Sequence, residues 1–300
     1  MPNKWVTRAA VAAAGCVAYA TLIEPRHFVV RRVSVPVLPP GAPPIRVLHL
    51  SDIHALRRNR ARLGFVATLA GLEPDLVIDT GDNIAQGEAI EPLRSALGRL
   101  LDIPGAYVFG SSDYEAPVFR NPLGYVAYPS THELVDHEPL PTGSLDAMLS
   151  AGAWRNVGGR RVILEVMGLR IELRGTDDAH VGQDEYPLVA GPVAPGVDVS
   201  LGVTHAPYRQ VLDEMAADGV DLVFAGHTHG GQVCLPVFGA IITNCDLERH
   251  HAKGLFRHHA AHASSWVHVS AGLGTSPYAP YRFACPPEVT LLTLTPRSNG

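Results

Sequence analysis

Two histidines one residue apart, His227 and His229, stand in the string Gly226-His227-Thr228-His229-Gly230-Gly231, directly behind the apolar run 221–225. On an extended strand exit, side chains at i and i+2 point to the same side, and the glycines let the backbone come close to whatever the imidazoles hold. This is a metal-ligand arrangement, although a pair of loop histidines alone is common on surfaces. Other apolar runs end in the same manner: Asp52 and His54 in Ser51-Asp52-Ile53-His54, Asp82 in Gly81-Asp82-Asn83, and His205 in Thr204-His205-Ala206-Pro207. Oxygen and nitrogen donors in this number exceed one tetrahedral site and suit two divalent ions that share a carboxylate. Two ions about 3.5 to 4 Å apart stabilise both the attacking and the leaving oxygen of a phosphoryl transfer. Mn²⁺, Fe, Zn²⁺ and Co²⁺ all suit the donor set.

These donors need a common rim. Residues 45–50 and 75–79 read as short buried strands before Asp52 and Asp82, and 105–109 as a third, ending in Gly110-Ser111-Ser112-Asp113. Segments 57–71 and 88–101 between them have helical character. Strand-loop-helix units in succession argue a largely parallel α/β sheet with polar groups at the carboxyl ends of its strands. Residues 114–142, rich in prolines and aromatics, are expected to be a long irregular excursion beside the site, and 144–152 a short helix. A hairpin around Gly168 leads into Thr176-Asp177-Asp178, 197–203 is a strand before His205, and 266–269 and 289–294 complete a second sheet.

Composition allows a large core and excludes binding of nucleic acid by bulk charge, since the net charge is -5. Four cysteines, Cys16, Cys234, Cys245 and Cys285, show no CxxC spacing, so a zinc ribbon or thioredoxin-like site is not indicated. Residues 1–8 form a basic segment, and 9–23 an uncharged, alanine-rich run expected to be a hydrophobic anchor helix. A signal peptide cut after Ala18-Tyr19-Ala20 and a lipoprotein signal ending at Gly15-Cys16 are the alternatives. The anchor is favoured because the lipobox lacks its usual leucine and no polar spacer follows. Arg26, Arg31 and Arg32 nearly balance Lys4 and Arg8 across the segment, so a cell-membrane location is expected without a side being assigned. Residues 24–43, proline-rich from 33 onward, read as an extended linker to a catalytic domain over 44–297.

The motif order resembles that of the calcineurin-like metallophosphoesterase superfamily over about residues 44–297, in Leu48-His49-Leu50-Ser51-Asp52-Ile53-His54, Thr80-Gly81-Asp82, Thr204-His205 and Gly226-His227-Thr228-His229-Gly230-Gly231-Gln232. Ile23-Glu24-Pro25 and Gly272-Leu273-Gly274-Thr275-Ser276 are similar to the membrane-associated bacterial branch, which includes enzymes similar to UDP-2,3-diacylglucosamine hydrolases. The resemblance implies two mixed β-sheets packed face to face and flanked by helices. It implies that Asp52, His54 and His229 hold one ion, that His205 and His227 hold the other, and that Asp82 bridges. The chain departs from the family at Ser111 and Ser112, where an asparagine ligand and a histidine acid are usual. Serine offers only a weaker neutral oxygen and is no acid near neutral pH. Ser111 is then the metal-ligand position and Ser112 the catalytic one, beside Asp82 and His205, with His132 or His180 as substitute acids.

Some residues have plainer readings. His49 is expected to be packed and Asp79 to orient a ligand or be a hydrogen-bonded strand-end group. Asp177-Asp178 reads as a turn, with orientation of a ligand as the alternative, and His250, His251, His258, His259 and His262 as an exposed loop rather than a separate metal store, with His258 and His262 on one face if helical. Arg57, Arg58, Arg60 and Arg62 form either a solvated face or a grip for anionic head groups. The expected activity is hydrolysis of a phosphodiester or pyrophosphate, favoured as lipid-linked, by a hydroxide bridging two divalent ions. The expected partners are that anionic substrate and the membrane, with no nucleic acid. The alternative is a one-metal or non-catalytic binding module, suggested by Ser111 and Ser112.

Overall fold

The structure, a computed structural model, describes residues 4–119 and 138–298. Helix α1 (Lys4–Ala18) carries no buried residue and winds on through further turns to Arg26. Of the described helices, Lys4–Arg26 is the one long and apolar enough to cross a membrane. Its end is fastened down: Glu24 is 1% exposed, its carboxylate accepts the N–H groups of Ala284 and Cys285, and Arg282 N donates to Ala20 O at 2.9 Å.

Strand β1 (Val29–Leu38) follows where an extended linker is expected. It pairs parallel with the C-terminal strand as the edge of a sheet, and an edge tolerates Pro36 because no ladder donor is needed there. The chain then runs through β2 (Ile45–Leu50), α2 (Arg60–Val66), β3 (Leu76–Asp79), α3 (Ile90–Leu97), β4 (Gly105–Tyr107), a single turn α4 (Ser111–Tyr114), α5 (Thr142–Ser150) and β5 (Trp154–Asn156). The second half supplies β6 (Arg160–Val166), β7 (Leu169–Thr176), β8 (Val199–Thr204), α6 (Arg209–Ala217), β9 (Leu222–Ala225), a hairpin of β10 (Cys234–Leu235) and β11 (Gly239–Ala240), then β12 (Gly254–His259), β13 (Ser264–Val269) and β14 (Glu288–Pro296).

Two six-stranded sheets result, in the orders β1-β14-β2-β3-β4-β5 and β12-β13-β9-β8-β7-β6. Both are mixed: β2 to β5 run parallel, as do β7, β8, β9 and β13, while β14 lies antiparallel to β2, β6 to β7 and β12 to β13. Side-chain alternation explains how the sheets stack. Ile45 and Val47, Leu76 and Ile78, Leu222 and Phe224 belong to one core between the sheets. Their neighbours Leu48, Leu50 and Val77 face α2, α3 and α5, and Val223, Val267 and Val269 face α6. The central strands β2, β3 and β9 are therefore apolar on both faces, as parallel strands covered on both sides must be, and each fully buried Leu, Ile or Val contributes about 1.5–3 kcal/mol. His49 lies on the inner face, fully buried, with Nδ1 2.8 Å from His268 Nδ1 and Nε2 3.1 Å from Thr80 Oγ1. It is packed, as the sequence suggests.

Candidate metal centre

Face-to-face packing brings the carboxyl ends of both sheets to one rim. The first sheet contributes Asp52 and His54 after β2, Asp82 after β3, and Ser111 and Ser112 after β4. The second contributes His205 after β8 and His227 and His229 after β9. Backbone hydrogen bonds lock these exits together: Asp52 N to Gly81 O at 2.9 Å, His54 N to Asp82 O at 2.8 Å, and Gly226 N to His205 O at 2.8 Å. Asp52, His54, Asp82, His227 and His229 all have left-handed backbones, with φ between 42° and 66°. For non-glycine residues this costs roughly 1–3 kcal/mol each, which the surrounding contacts must over-determine. Gly226 is obligatory, since a Cβ there would strike Ser51 Oγ and stand 2.7 Å from Asp52 Oδ2.

The donor atoms converge. His229 Nε2 is 3.7 Å from Asp52 Oδ1, and Asp52, His54 and His229 form one group of candidate ligands. Asp82 Oδ2 lies 3.3 Å from His54 Nε2 and 3.6 Å from His205 Nε2, between two halves of the site. A further group is Asp178, His205 and His227, with Asp178 Oδ2 3.9 Å from His205 Nε2. Asp178, read from sequence as part of a turn, is fully buried. The strand before it, Leu169–Thr176, carries Arg170, Glu172 and Arg174, so the apolar run that marks the other donors is missing here.

Hydrogen bonds set the imidazole tautomers. His205 Nδ1 donates to Thr80 O at 2.7 Å and His229 Nδ1 to Gly274 O at 3.1 Å, while His227 Nε2 meets both Asn244 O at 3.1 Å and Asn244 Nδ2 at 3.2 Å. The first two rings thus offer the Nε2 lone pair, the arrangement by which ligating histidines are oriented, and His227 offers Nδ1 when its Nε2 donates to the carbonyl. Among the described residues, both nitrogens of His54 and Nε2 of His205 are buried with no hydrogen-bond partner. Buried polar atoms normally find a partner, and divalent cations fit these orphans and the neighbouring carboxylates.

Both serines line the cavity at the centre. Ser112 N and Oγ donate to Asp82 Oδ1 at 2.8 Å and Oδ2 at 3.3 Å, so Ser112 orients Asp82. Ser111 N donates to Asp178 Oδ2 at 3.1 Å. Asp113 accepts from Asn83, Ile84 and Gly110 N–H groups, and Asp79 from Gly81 N at 3.0 Å; both brace the loops. Arg62 is buried and donates to Ile53 O and His54 O, while Arg57, Arg58 and Arg60 are exposed.

Residues 45–231, well over half of the chain, match the model of the calcineurin-like phosphoesterases. The chain belongs to the calcineurin-like phosphoesterase family. Over 298 residues this phosphoesterase is 26% identical to the uncharacterized metallophosphoesterase YkuE of Bacillus subtilis, covering 95% of this chain and 92% of that one. It is 26% identical to the phosphodiesterase YaeI of Escherichia coli, covering 96% of each chain. It is also 26% identical to the UDP-2,3-diacylglucosamine pyrophosphatase LpxG of Chlamydia trachomatis, covering 83% of each. The family acts on phosphoester bonds with divalent metals, and the phosphoesterase carries donor groups suited to them.

Electrostatics fit a cation site. Burial raises Asp52 to about 6 and lowers His54 to about 4. Burial opposes ionisation of Asp82 as well, but the imidazoles of His205 and His54 overcome it and the net direction is down. Burial lowers His205, yet Asp82, Asp178 and Asp52 outweigh it and hold the ring's proton up to about 10. The carboxylates thus demand a positive charge at their centre, which a metal ion supplies. A cavity of about 510 Å³ opens onto this centre, lined by His54, Asp82, His227 and His229 together with His180 and apolar Val118, Ile241 and Ile242.

His132 lies outside the described residues. The histidine tract is neither one loop nor a helix: His258 sits in β12 and meets Asp213 at 2.7 Å. Exposed His250 pairs with Glu248 at 3.3 Å, and His251 stacks on Phe256.

Proposed function

We propose that the protein is a two-metal phosphoesterase that hydrolyses a phosphodiester or pyrophosphate bond of a lipid-linked substrate. The observation that carries this reading is the set of buried, unpartnered imidazole nitrogens of His54 and His205 on either side of one carboxylate, Asp82. In it, Asp52, His54 and His229 hold one ion, His205 and His227 the other, and Asp82 both. When bound, two such ions lower the pKa of water and neutralise charge on the transferring phosphoryl group. The chain's own residues fix the rest. Thr80, Gly274 and Asn244 keep the imidazoles in the ligating tautomer, Ser112 holds Asp82, and the left-handed backbone aims the donors at one point. His180, on the cavity wall with Nδ1 2.8 Å from Tyr208 Oη, is the imidazole that protonates the leaving oxygen in place of Ser112.

The lipid-linked choice rests on the cavity's apolar lining and on the β10–β11 hairpin, where Val237 and Phe238 are almost fully exposed. Exposed apolar side chains of this size favour an acyl or bilayer neighbour. The hairpin joins the anchor's end through Cys234 N to Phe283 O at 2.8 Å and the edge contact of Phe283 with Tyr19. The names of LpxG and YaeI, a pyrophosphatase of a diacylated sugar nucleotide and a phosphodiesterase, are in keeping with this class. The test is hydrolysis of bis(p-nitrophenyl) phosphate and of a diacylated sugar nucleotide by the full chain loaded with Mn²⁺, Zn²⁺ or Co²⁺. Turnover that His229→Ala abolishes, with the acylated substrate preferred, is expected. No turnover with any ion sinks the enzymatic reading, and equal rates on deacylated substrate sink the lipid-linked one.

A further inference from the structure

Asp178 ends the same strand-to-loop grammar as the other donors, yet no role falls to it from the motif order. Its side chain is fully buried, as is that of His205, and His227 is 7% exposed. One donor atom from each lies within 4.8 Å of the others. A buried carboxylate is costly unless paired, and the Asp178 hydrogen bonds are all to backbone: Oδ2 accepts from Ser111 N at 3.1 Å and Oδ1 from His180 N at 2.8 Å. Neither is a countercharge. Facing Oδ2 at 3.9 Å is His205 Nε2, buried and without a hydrogen-bond partner. A positive charge is what these two atoms share, and at 3.9 Å apart they can both reach a cation that displaces the His205 proton.

We infer that Asp178 is a ligand of the second ion, supplying from β7 the oxygen that Ser111 does not supply from β4. This assignment rests on the two-metal reading. It makes the two sites alike: Asp52, Asp82, His54 and His229 on one side, Asp178, Asp82, His205 and His227 on the other. Each ion receives a private carboxylate, the shared one and two imidazoles. Equal donor sets give no basis for sorting two different metals, so a homodinuclear pair follows. Two divalent ions bring four positive charges against three carboxylates, a net charge of +1 that one bound hydroxide would neutralise. Ser111 N, donating to Asp178 Oδ2, orients the carboxylate as the supports of metal ligands commonly do.

The test uses the full chain, stripped by chelator and titrated with Mn²⁺, with bound metal counted by mass spectrometry and spin coupling read by electron paramagnetic resonance. The unsubstituted protein takes two ions and gives a coupled spectrum. Asp178→Ala takes one at the same Mn²⁺ concentration, with the second Kd raised at least about a hundredfold and an uncoupled six-line spectrum. Asp178→Asn keeps the shape of the side chain and one acceptor oxygen, for either Ser111 N or His180 N, and an unchanged circular dichroism spectrum with an unchanged first Kd shows that it folds. In it the second Kd rises at least about tenfold. Two ions at unchanged Kd in Asp178→Asn, with coupling intact, overturn the assignment and leave Asp178 as a loop brace. Fewer than two ions in the unsubstituted protein defeat the two-metal reading itself, and this assignment with it.

Discussion

Arg282 gives the sharpest test of how the site is held. Its guanidinium is fully buried. Nη2 donates to Ala271 O at 2.7 Å, Gly272 O at 3.1 Å and Gly274 O at 2.7 Å, and Nη1 to His229 O at 3.3 Å and Cys285 O at 3.2 Å. In Arg282→Met the stem's packing is largely kept and the donors are lost. Three of the carbonyls retain another donor, since Gly272 O accepts from Glu288 N, Gly274 O from His229 Nδ1 and His229 O from Gln232 N. Ala271 O and Cys285 O are left with none among the described residues. At about 1–3 kcal/mol per buried unsatisfied group, with weaker losses at the other three, the substitution costs roughly 3–5 kcal/mol, a large share of a domain's stability. The Gly274 carbonyl also orients His229, so affinity for the first ion falls about tenfold to a hundredfold. Urea unfolding in chelator measures the first quantity and metal titration the second. Arg282→Lys, with three donors instead of five, recovers part of both. A loss of stability below about 1 kcal/mol with unchanged metal affinity would refute the account of Arg282 as the clamp.

Two further outcomes follow from buried imidazoles and from the cavity wall. Burial holds His268 neutral, with its pKa lowered from 6.5 to about 3. Its contribution to stability is therefore complete above pH 6.5 and is lost as pH falls toward 3. At pH 5 about 2 kcal/mol is gone; His268→Asn, which can still bond His49, flattens this acid limb in urea titrations, and an unaltered pH slope contradicts the assignment. If His180 protonates the leaving oxygen, His180→Gln lowers kcat about 10²- to 10⁴-fold for an alkyl leaving group and leaves p-nitrophenolate release nearly unchanged. Equal effects on both substrates count against it.

The strands and the candidate donors were legible because each candidate sits just beyond a short apolar run, and a sheet covered on both faces makes such runs conspicuous. Asp178 follows a strand interrupted by Arg170, Glu172 and Arg174, so no such run marks it, and Asp177-Asp178 suits a turn. Indeed Asp177 serves the loops, accepting from Phe109 N at 2.9 Å and Tyr114 Oη at 2.8 Å. Two adjacent aspartates with different duties cannot be separated by type. Arg62 looked like its neighbours Arg57, Arg58 and Arg60, and only tertiary contact makes it a buried brace for His54. Residues 24–43 read as a linker because proline was weighed without knowing that Val29–Leu38 would lie at a sheet edge. His258 belongs to a strand whose partner carboxylate, Asp213, is 45 residues away, beyond the reach of local periodicity.

The fastening of Lys4–Arg26 has a mechanical meaning. The main chain of Arg282 holds the helix at Ala20, and its side chain holds the carbonyl of His229. Glu24 meanwhile grips Ala284 and Cys285, so no swivel separates the helix from the catalytic rim. Whatever surrounds the helix fixes the direction in which the cleft opens, and the cleft cannot turn to meet substrate from every side. An enzyme mounted in this way trades angular freedom for a permanent heading, and its substrate must come to it along that heading.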